Sequence, residues 1–344
     1  MKTTDFDYDL PHELIAQRPP ARRDAARMLV LDPQQEELTH RAVIDLPRLL
    51  NPGDLLVLND SRVLPARLRG QRESGGDAEV LLLRPLTEAH LWESLVRPSR
   101  RLDVGARITF QGSPLTVTLT EKNGETAQVR LGGTREPLRE VRRIGTMPTP
   151  PYIKAPLEDA TRYQTVFSRV EGSAAAPTAG LHFTEELLDA IRARGVEVTC
   201  ITLHVGLDTF RPVRVDDPAQ HRIHREWYQL EEGTAAAVRR TRSRGARVIA
   251  VGTTSVRVLE SAADGDLVRP STGWTDLLIL PGFQYRVVDA LLTNFHLPKS
   301  TLLMMVSAFA GRHRVLAAYA EAVARRYRFY SFGDCMFITR RAAQ

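Results

Sequence analysis

The sequence predicts an α/β protein that carries a small, separate all-β segment. Three observations predict it. Residues 61–145 are made of short strand-type runs divided by Gly- or Pro-containing turns. From about residue 150 onward, strand-type runs alternate with amphipathic helical runs. Apolar residues make up 43% of the 344-residue chain, enough for a folded core and more than one domain.

Taken in order, "PHELIAQ" reads as a short helix with Pro11 at its start. "RMLVLD" and "DLLVLN" read as strands, the second bounded by Gly53 and Asn59. Six strand-type runs follow, from "LPARLRG" to "TAQVRLG", and suggest a small antiparallel barrel or sandwich without helices. "SGGDA" marks a hairpin turn, and "KNGE" carries the Asn-Gly hairpin signal. "IGTMPTPPYIKAP" is Pro-rich and reads as a linker or ordered loop. In "TEELLDAIRARG", Thr184 is placed to cap the helix, acids fill the first turn and Gly195 stops it. Next come the strand "VEVTCITLHVG", the helix "EGTAAAVRRTRSRG", the strand "RVIAVG" and the helix "SVRVLESAA". "HRVLAAYAEAVARRY" reads as a late amphipathic helix.

Composition narrows the function. The net charge is +6, and arginines cluster at 97–101, 139–143 and 239–247. Such clusters suit an anionic partner and equally suit a solvated surface. Two isolated cysteines, Cys200 and Cys335, argue against a disulfide framework or a zinc ribbon. No apolar run reaches the ~18–20 residues of a membrane span, and the first residues lack a signal-peptide core. A cytoplasmic protein without membrane contact is therefore expected. "HRIHREW" sets His221 and His224 three apart, a weak metal signal with no matching third ligand, so no metal is expected.

Several stretches bear chemistry. In "VGTTSVRVLES" a strand ends at Gly252, and Thr253 and Thr254 open a helix. This arrangement suits an anion, or else Thr or Ser simply caps the helix. "GSAAAPTAGLHF" sets small residues beside His182, and "TLHVG" puts His204 near a strand's C-terminal end. "LLTNFHLPKSTLLMMVSAFAG" crowds Asn294, His296 and Lys299 ahead of an apolar helix, as caps or as a pocket wall. "YRFYSFGDCMFI" mixes aromatics with Arg328 and Asp334, for base stacking or for core.

Together and in this order, these strings resemble the S-adenosylmethionine:tRNA ribosyltransferase-isomerase family of queuosine biosynthesis. The likeness also runs through "DFDYDLPHELIAQRP", "GDLLVLNDSRVLPARL", "MPTPPYI" and "GWTDLLILPG", and so covers nearly the whole chain. "APTAGLHFT" and "TNFHLPKSTLLM" are the most specific parts. The resemblance implies a larger α/β domain, residues 1–60 plus 150–344, with a small antiparallel β-barrel domain at 61–149 inserted in it. It implies transfer and rearrangement of the ribosyl group of S-adenosylmethionine onto 7-aminomethyl-7-deazaguanine at the wobble position of a tRNA with a GUN anticodon. Epoxyqueuosine forms, and adenine and methionine leave. S-adenosylmethionine is then a consumed substrate, no cofactor is required, and a monomer is expected. The sequence departs from the family pattern at Thr146, Thr149 and Asp208.

That chemistry needs a base for a C5′ proton made acidic by the sulfonium, with His204, His182 and His296 as candidates. Asp60 or a protonated histidine would assist departure of adenine. Thr253, Thr254 and Arg257 suit the methionine carboxylate, and Asn294 and Lys299 suit ribose hydroxyls or a phosphate. Thr178, Gly180 and Tyr152 lie in the matching strings and join the substrate-binding set. The competing readings are a tRNA-binding module without catalysis and a metal-dependent hydrolase built on His221 and His224.

Overall fold

The computed structural model describes residues 1–206, 213–265 and 267–341. Asp208 lies outside the described residues. The chain divides into two compact units. One comprises residues 1–61, 151–170 and 176–344, and the other residues 62–150 and 171–175.

In the first unit the chain opens with β1 (Arg27–Leu31), β2 (Leu38–Ala42) and β3 (Leu55–Asn59). The second unit contributes β4 (Arg67–Arg72), β5 (Asp77–Pro85), β6 (Leu91–Arg97), β7 (Arg107–Phe110), β8 (Ser113–Asn123) and β9 (Thr126–Gly132), then α1 (Pro137–Ile144). The first unit resumes with α2 (Glu185–Ala193), β10 (Glu197–Leu203), β11 (Glu226–Leu230), α3 (Glu232–Ser243), β12 (Val248–Val251) and α4 (Thr253–Ser261). It ends with β13 (Ser271–Thr275), β14 (Ala290–Asn294), α5 (Thr301–Ala310), α6 (Arg312–Ala324) and β15 (Cys335–Ile338).

Among the described residues, the first unit holds a nine-stranded sheet in the order β13-β11-β10-β3-β12-β14-β15-β1-β2. Its centre, β10-β3-β12-β14, is parallel. β15 runs antiparallel to β14 and parallel to β1. β3, β12, β14 and β15 are buried along their whole length and are mostly apolar, with polar Asn59, Thr293 and Asn294 at the C-terminal ends of β3 and β14. Leu56, Ile249, Leu292 and Phe337 from these strands pack with Phe183, Leu187, Leu188 and Ile191 in one core cluster.

In the second unit β4 to β9 close into a barrel in the order β9-β6-β5-β4-β7-β8. Burial alternates along β6, β8 and β9, so every second side chain fills the interior. The Asn-Gly turn joins β8 to β9 as expected. One expectation fails here. The all-β reading had no helix, yet α1 forms, with Pro137 in its first turn and Val141 buried. Its eight residues include three arginines and one acid, and its apolar spacing is too short to announce a helix in sequence. A second difference lies at "PHELIAQ", which forms only a three-residue 3-10 turn, His12–Leu14, after Pro11.

Caps inside the α/β unit follow the expected chemistry. The Thr184 hydroxyl accepts from the Leu187 amide at 3.1 Å, and α2 begins there. The Ser300 hydroxyl accepts from the Leu303 amide at 3.2 Å and starts α5. Asn294, His296 and Lys299 are therefore not the caps of that apolar helix.

Candidate active site

A cleft opens at the C-terminal ends of the parallel strands β12 and β14, the end where open α/β sheets gather ligands. Three pieces of chain build it. Gly252, Thr253 and Thr254 form the start of α4. Thr293 to Leu297 leave β14. Pro177–Thr178 face them, with Tyr152, Tyr330 and Ser331 alongside.

Gly252 has φ +85°, a conformation natural to glycine, and it occupies the N-cap of α4 without a side chain to offer. The expected Thr or Ser cap is absent. The Ser255 hydroxyl donates backward to the Val251 carbonyl at 2.8 Å, and the Thr254 hydroxyl accepts from Asn59 Nδ2 at 3.1 Å. The helix start thus presents first-turn amides that no side chain caps, beside the positive end of the helix dipole.

Asn294 ties the cleft together. Its Nδ2 donates to the Tyr330 carbonyl and to His182 Nε2, each at 3.2 Å, and its Oδ1 accepts from Thr178 Oγ1 at 2.9 Å. The carbonyl only accepts, so the amide nitrogen must face that way. His182 Nε2 is then an acceptor, and its neutral ring carries the proton on Nδ1. His296 lines the cleft, with Nε2 2.9 Å from Thr293 Oγ1. Tyr319 OH accepts from its backbone amide at 3.0 Å and Tyr8 OH donates to its carbonyl at 2.5 Å, which fixes the loop. Tyr152 OH meets Ser331 Oγ at 2.7 Å, and its ring lies 4.7 Å from that of Tyr330.

Burial keeps the histidines neutral. It pushes His296 down to about 3. Burial, aided by the charges of Arg328 and Arg23, pushes His182 down to about 4. Burial also takes His204 to about 4, against the opposing pull of Asp60. The phenols of Tyr152 and Tyr330 are held above their ordinary range, mainly by burial.

The cleft lining therefore includes Tyr152, Thr178, Thr253, Thr254, Asn294 and His296, with His182 joined through Asn294. Other expected residues lie elsewhere. Arg257 is buried, and its guanidinium binds the Glu226 carboxylate and the carbonyls of Thr275 and Leu277. One turn beyond Thr253, the helix aims it toward that neighbour and away from the cleft. Lys299 pairs with Asp7 at 2.7 Å, its backbone held at φ +57°. Gly180 is a packing glycine, since a Cβ there would meet the Phe167 ring at 2.7 Å. Asp60 accepts from Arg169 at 2.9 Å and Thr202 at 2.6 Å. His204 stacks on Trp227, rings 4.9 Å apart, and is next to the lining residue Val205.

His221 and His224 follow a short 3-10 turn and sit in no helix, so the three-residue spacing brings no shared face. Among the described residues, no three His, Cys, Asp or Glu side chains gather as a metal-binding group. Likewise, no helix is long and apolar enough to cross a membrane. Thr293, Tyr330 and Ser331 were missed as lining residues. The aromatic string around Tyr330 was visible, but Tyr327 and Phe329 in it are core, and spacing alone does not separate them.

The chain is 55% identical to the S-adenosylmethionine:tRNA ribosyltransferase-isomerase of Symbiobacterium thermophilum, over 98% of this chain and 100% of the relative. It is 52% identical to the protein of the same name from Citrifermentans bemidjiense, again over 98% and 100%. Among solved structures, S-adenosylmethionine tRNA ribosyltransferase from Thermotoga maritima is 38% identical, with a TM-score of 0.57 over 97% of this chain and 99% of that one. The profile of the family described as queuosine biosynthesis protein matches residues 3–338, and the chain belongs to that family.

Proposed function

We propose that the protein moves the ribosyl group of S-adenosylmethionine onto 7-aminomethyl-7-deazaguanine in the wobble position of a GUN-anticodon tRNA. The ribosyl group is rearranged into the epoxycyclopentane of epoxyqueuosine. Adenine and methionine are released, S-adenosylmethionine is spent as a substrate, and no cofactor takes part. The enzyme works as a cytoplasmic monomer. The observation that carries this reading is the 55% identity, end to end, to a relative bearing that enzyme's name.

The cleft supports a division of labour. The amides opening α4, with Thr253 and Thr254, hold the methionine carboxylate at the positive helix end. Asn294, fixed by Thr178 and His182, and the Tyr152–Tyr330 pair contact ribose and base. His296 takes the C5′ proton. Its imidazole is neutral at pH 7 and so has a free ring lone pair, though burial makes it a weak base. A carboxylate entering the cleft would raise its basicity. A neutral histidine is no acid at that pH, so the proton that departing adenine needs comes from the one His296 has gained or from water.

The test is turnover by purified protein of S-adenosylmethionine and a tRNA bearing 7-aminomethyl-7-deazaguanine, without added metal. Free adenine, free methionine and epoxyqueuosine in the digested tRNA are expected together. Binding of the tRNA with none of the three products would leave a tRNA-binding module in place of an enzyme.

A further inference from the structure

The sequence carries three arginine clusters, and the structure treats them differently. In the second, Arg139 pairs with Glu136 at 3.2 Å, Arg142 with Glu171 at 2.5 Å and Arg143 with Glu140 at 2.6 Å. In the third, Arg239 pairs with Glu232, Arg240 with Glu197 and Arg247 with Asp54. The first cluster has no such partners. Arg97, Arg100 and Arg101 are exposed, and among the described residues none of them has an ion pair.

These three arginines line one open cleft of the barrel unit, together with Arg69 and the acids Asp77 and Glu79. Glu79 lies 3.6 Å from Arg69, which takes up part of its charge. The cleft is firmly built. Arg97 ends strand β6, and Arg100 and Arg101 sit on the 3-10 turn Ser99–Arg101 that follows. Arg72 of β4 donates to the Arg101 carbonyl at 3.4 Å and ties the turn back to the barrel. With a volume of about 1360 Å³, the cleft exceeds the ~300–1,000 Å³ of small-molecule pockets. It is shaped for a stretch of polymer. Guanidinium groups left without carboxylates retain their forked donors for phosphate oxygens.

We propose that Arg97, Arg100 and Arg101 hold the phosphodiester backbone of the tRNA substrate on the barrel. This rests on the functional reading above and adds to it the surface that grips the RNA. Contacts of this kind act through counterion release, so they appear in the salt dependence of binding.

The experiment compares the binding of tRNA, at several salt concentrations, to the full-length protein and to four variants. For R97A/R100A/R101A, a Kd raised roughly tenfold or more at ~0.15 M salt is expected. The slope of log affinity against log salt should fall by about 2–3. R97K/R100K/R101K should keep most of the slope. R139A/R142A/R143A removes the same charge from the paired cluster and should change Kd little. The double variant R100A/R101A alters only the exposed turn and guards against misfolding of the barrel; it should show roughly two thirds of the triple variant's slope change. Equal weakening by the two triple-alanine variants, or unchanged Kd and slope in the first, overturns the proposal while leaving turnover intact. If the wild-type protein neither binds tRNA nor forms product, the functional reading itself fails.

Discussion

His296 and Asn294 put the functional proposal at its most testable. His296→Gln keeps a polar group near Thr293 and removes the imidazole. Its kcat is expected to fall ~10²-fold or more while the KM for S-adenosylmethionine moves little, as for loss of a proton acceptor. Single-turnover adenine release measures this, and an unchanged rate would remove His296 from the chemistry. Asn294→Asp sets a carboxylate against the neutral His182 ring. The His182 pKa should rise from about 4, readable as a shifted titration of its ring protons by NMR. The sequence showed these residue types but not their meeting. Thr178 and Asn294 lie 116 positions apart, and only the sheet brings them to 2.9 Å. Arg257 and Lys299 are absent from the cleft lining for a related reason. Sequence displays a charge but not its direction, and both charges turn to acids, Glu226 and Asp7.

At the level of elements, local signals did most of the work. Thr184, the Asn-Gly turn and Gly195 each act within a few residues, so their strands and helices were legible. The run of short strands left a barrel or a sandwich open, and the family resemblance selected the closed barrel that forms. Helix α4 was legible as a helix but not in its manner of starting. Gly252→Ala would force an L-residue to φ +85° with its Cβ 3.4 Å from that of Ala179, at a cost of about 1–2 kcal/mol. It should lower Tm and also weaken S-adenosylmethionine binding, because the amides it positions belong to the cleft. Ser300→Ala is the companion. Loss of that cap costs about 1 kcal/mol and should leave kcat unchanged. Denaturant melts paired with initial rates separate the two.

For the molecule as a whole, neutral buried histidines set an acid limit on stability. His182, His204 and His296 are depressed to about 4, about 4 and about 3, whereas unfolded histidine titrates near ~6.5. Below pH ~6.5 the unfolded chain takes up protons that the folded chain refuses. Stability is therefore full above that pH and falls as pH drops toward 4, by up to ~1.4 kcal/mol per pH unit for each histidine. Urea unfolding at pH 7 and pH 5 should show the loss, and His296→Gln should reduce the slope by close to one proton. No loss between those pH values would mean that these rings are solvated.

Strand β15 also governs how the protein is made. It lies between β14 and β1, so it joins the most N-terminal strand pair to the rest of the sheet. About 300 residues separate β1 from β15, which at ~5–20 residues per second is on the order of half a minute of translation. Through that time β1 keeps an open edge that β15 alone fills, and β14 adds a second open edge only shortly before β15 is made. The nascent chain must be kept from aggregating until β15 leaves the ribosome, and a message truncated before Cys335 yields a chain whose sheet stays in two pieces.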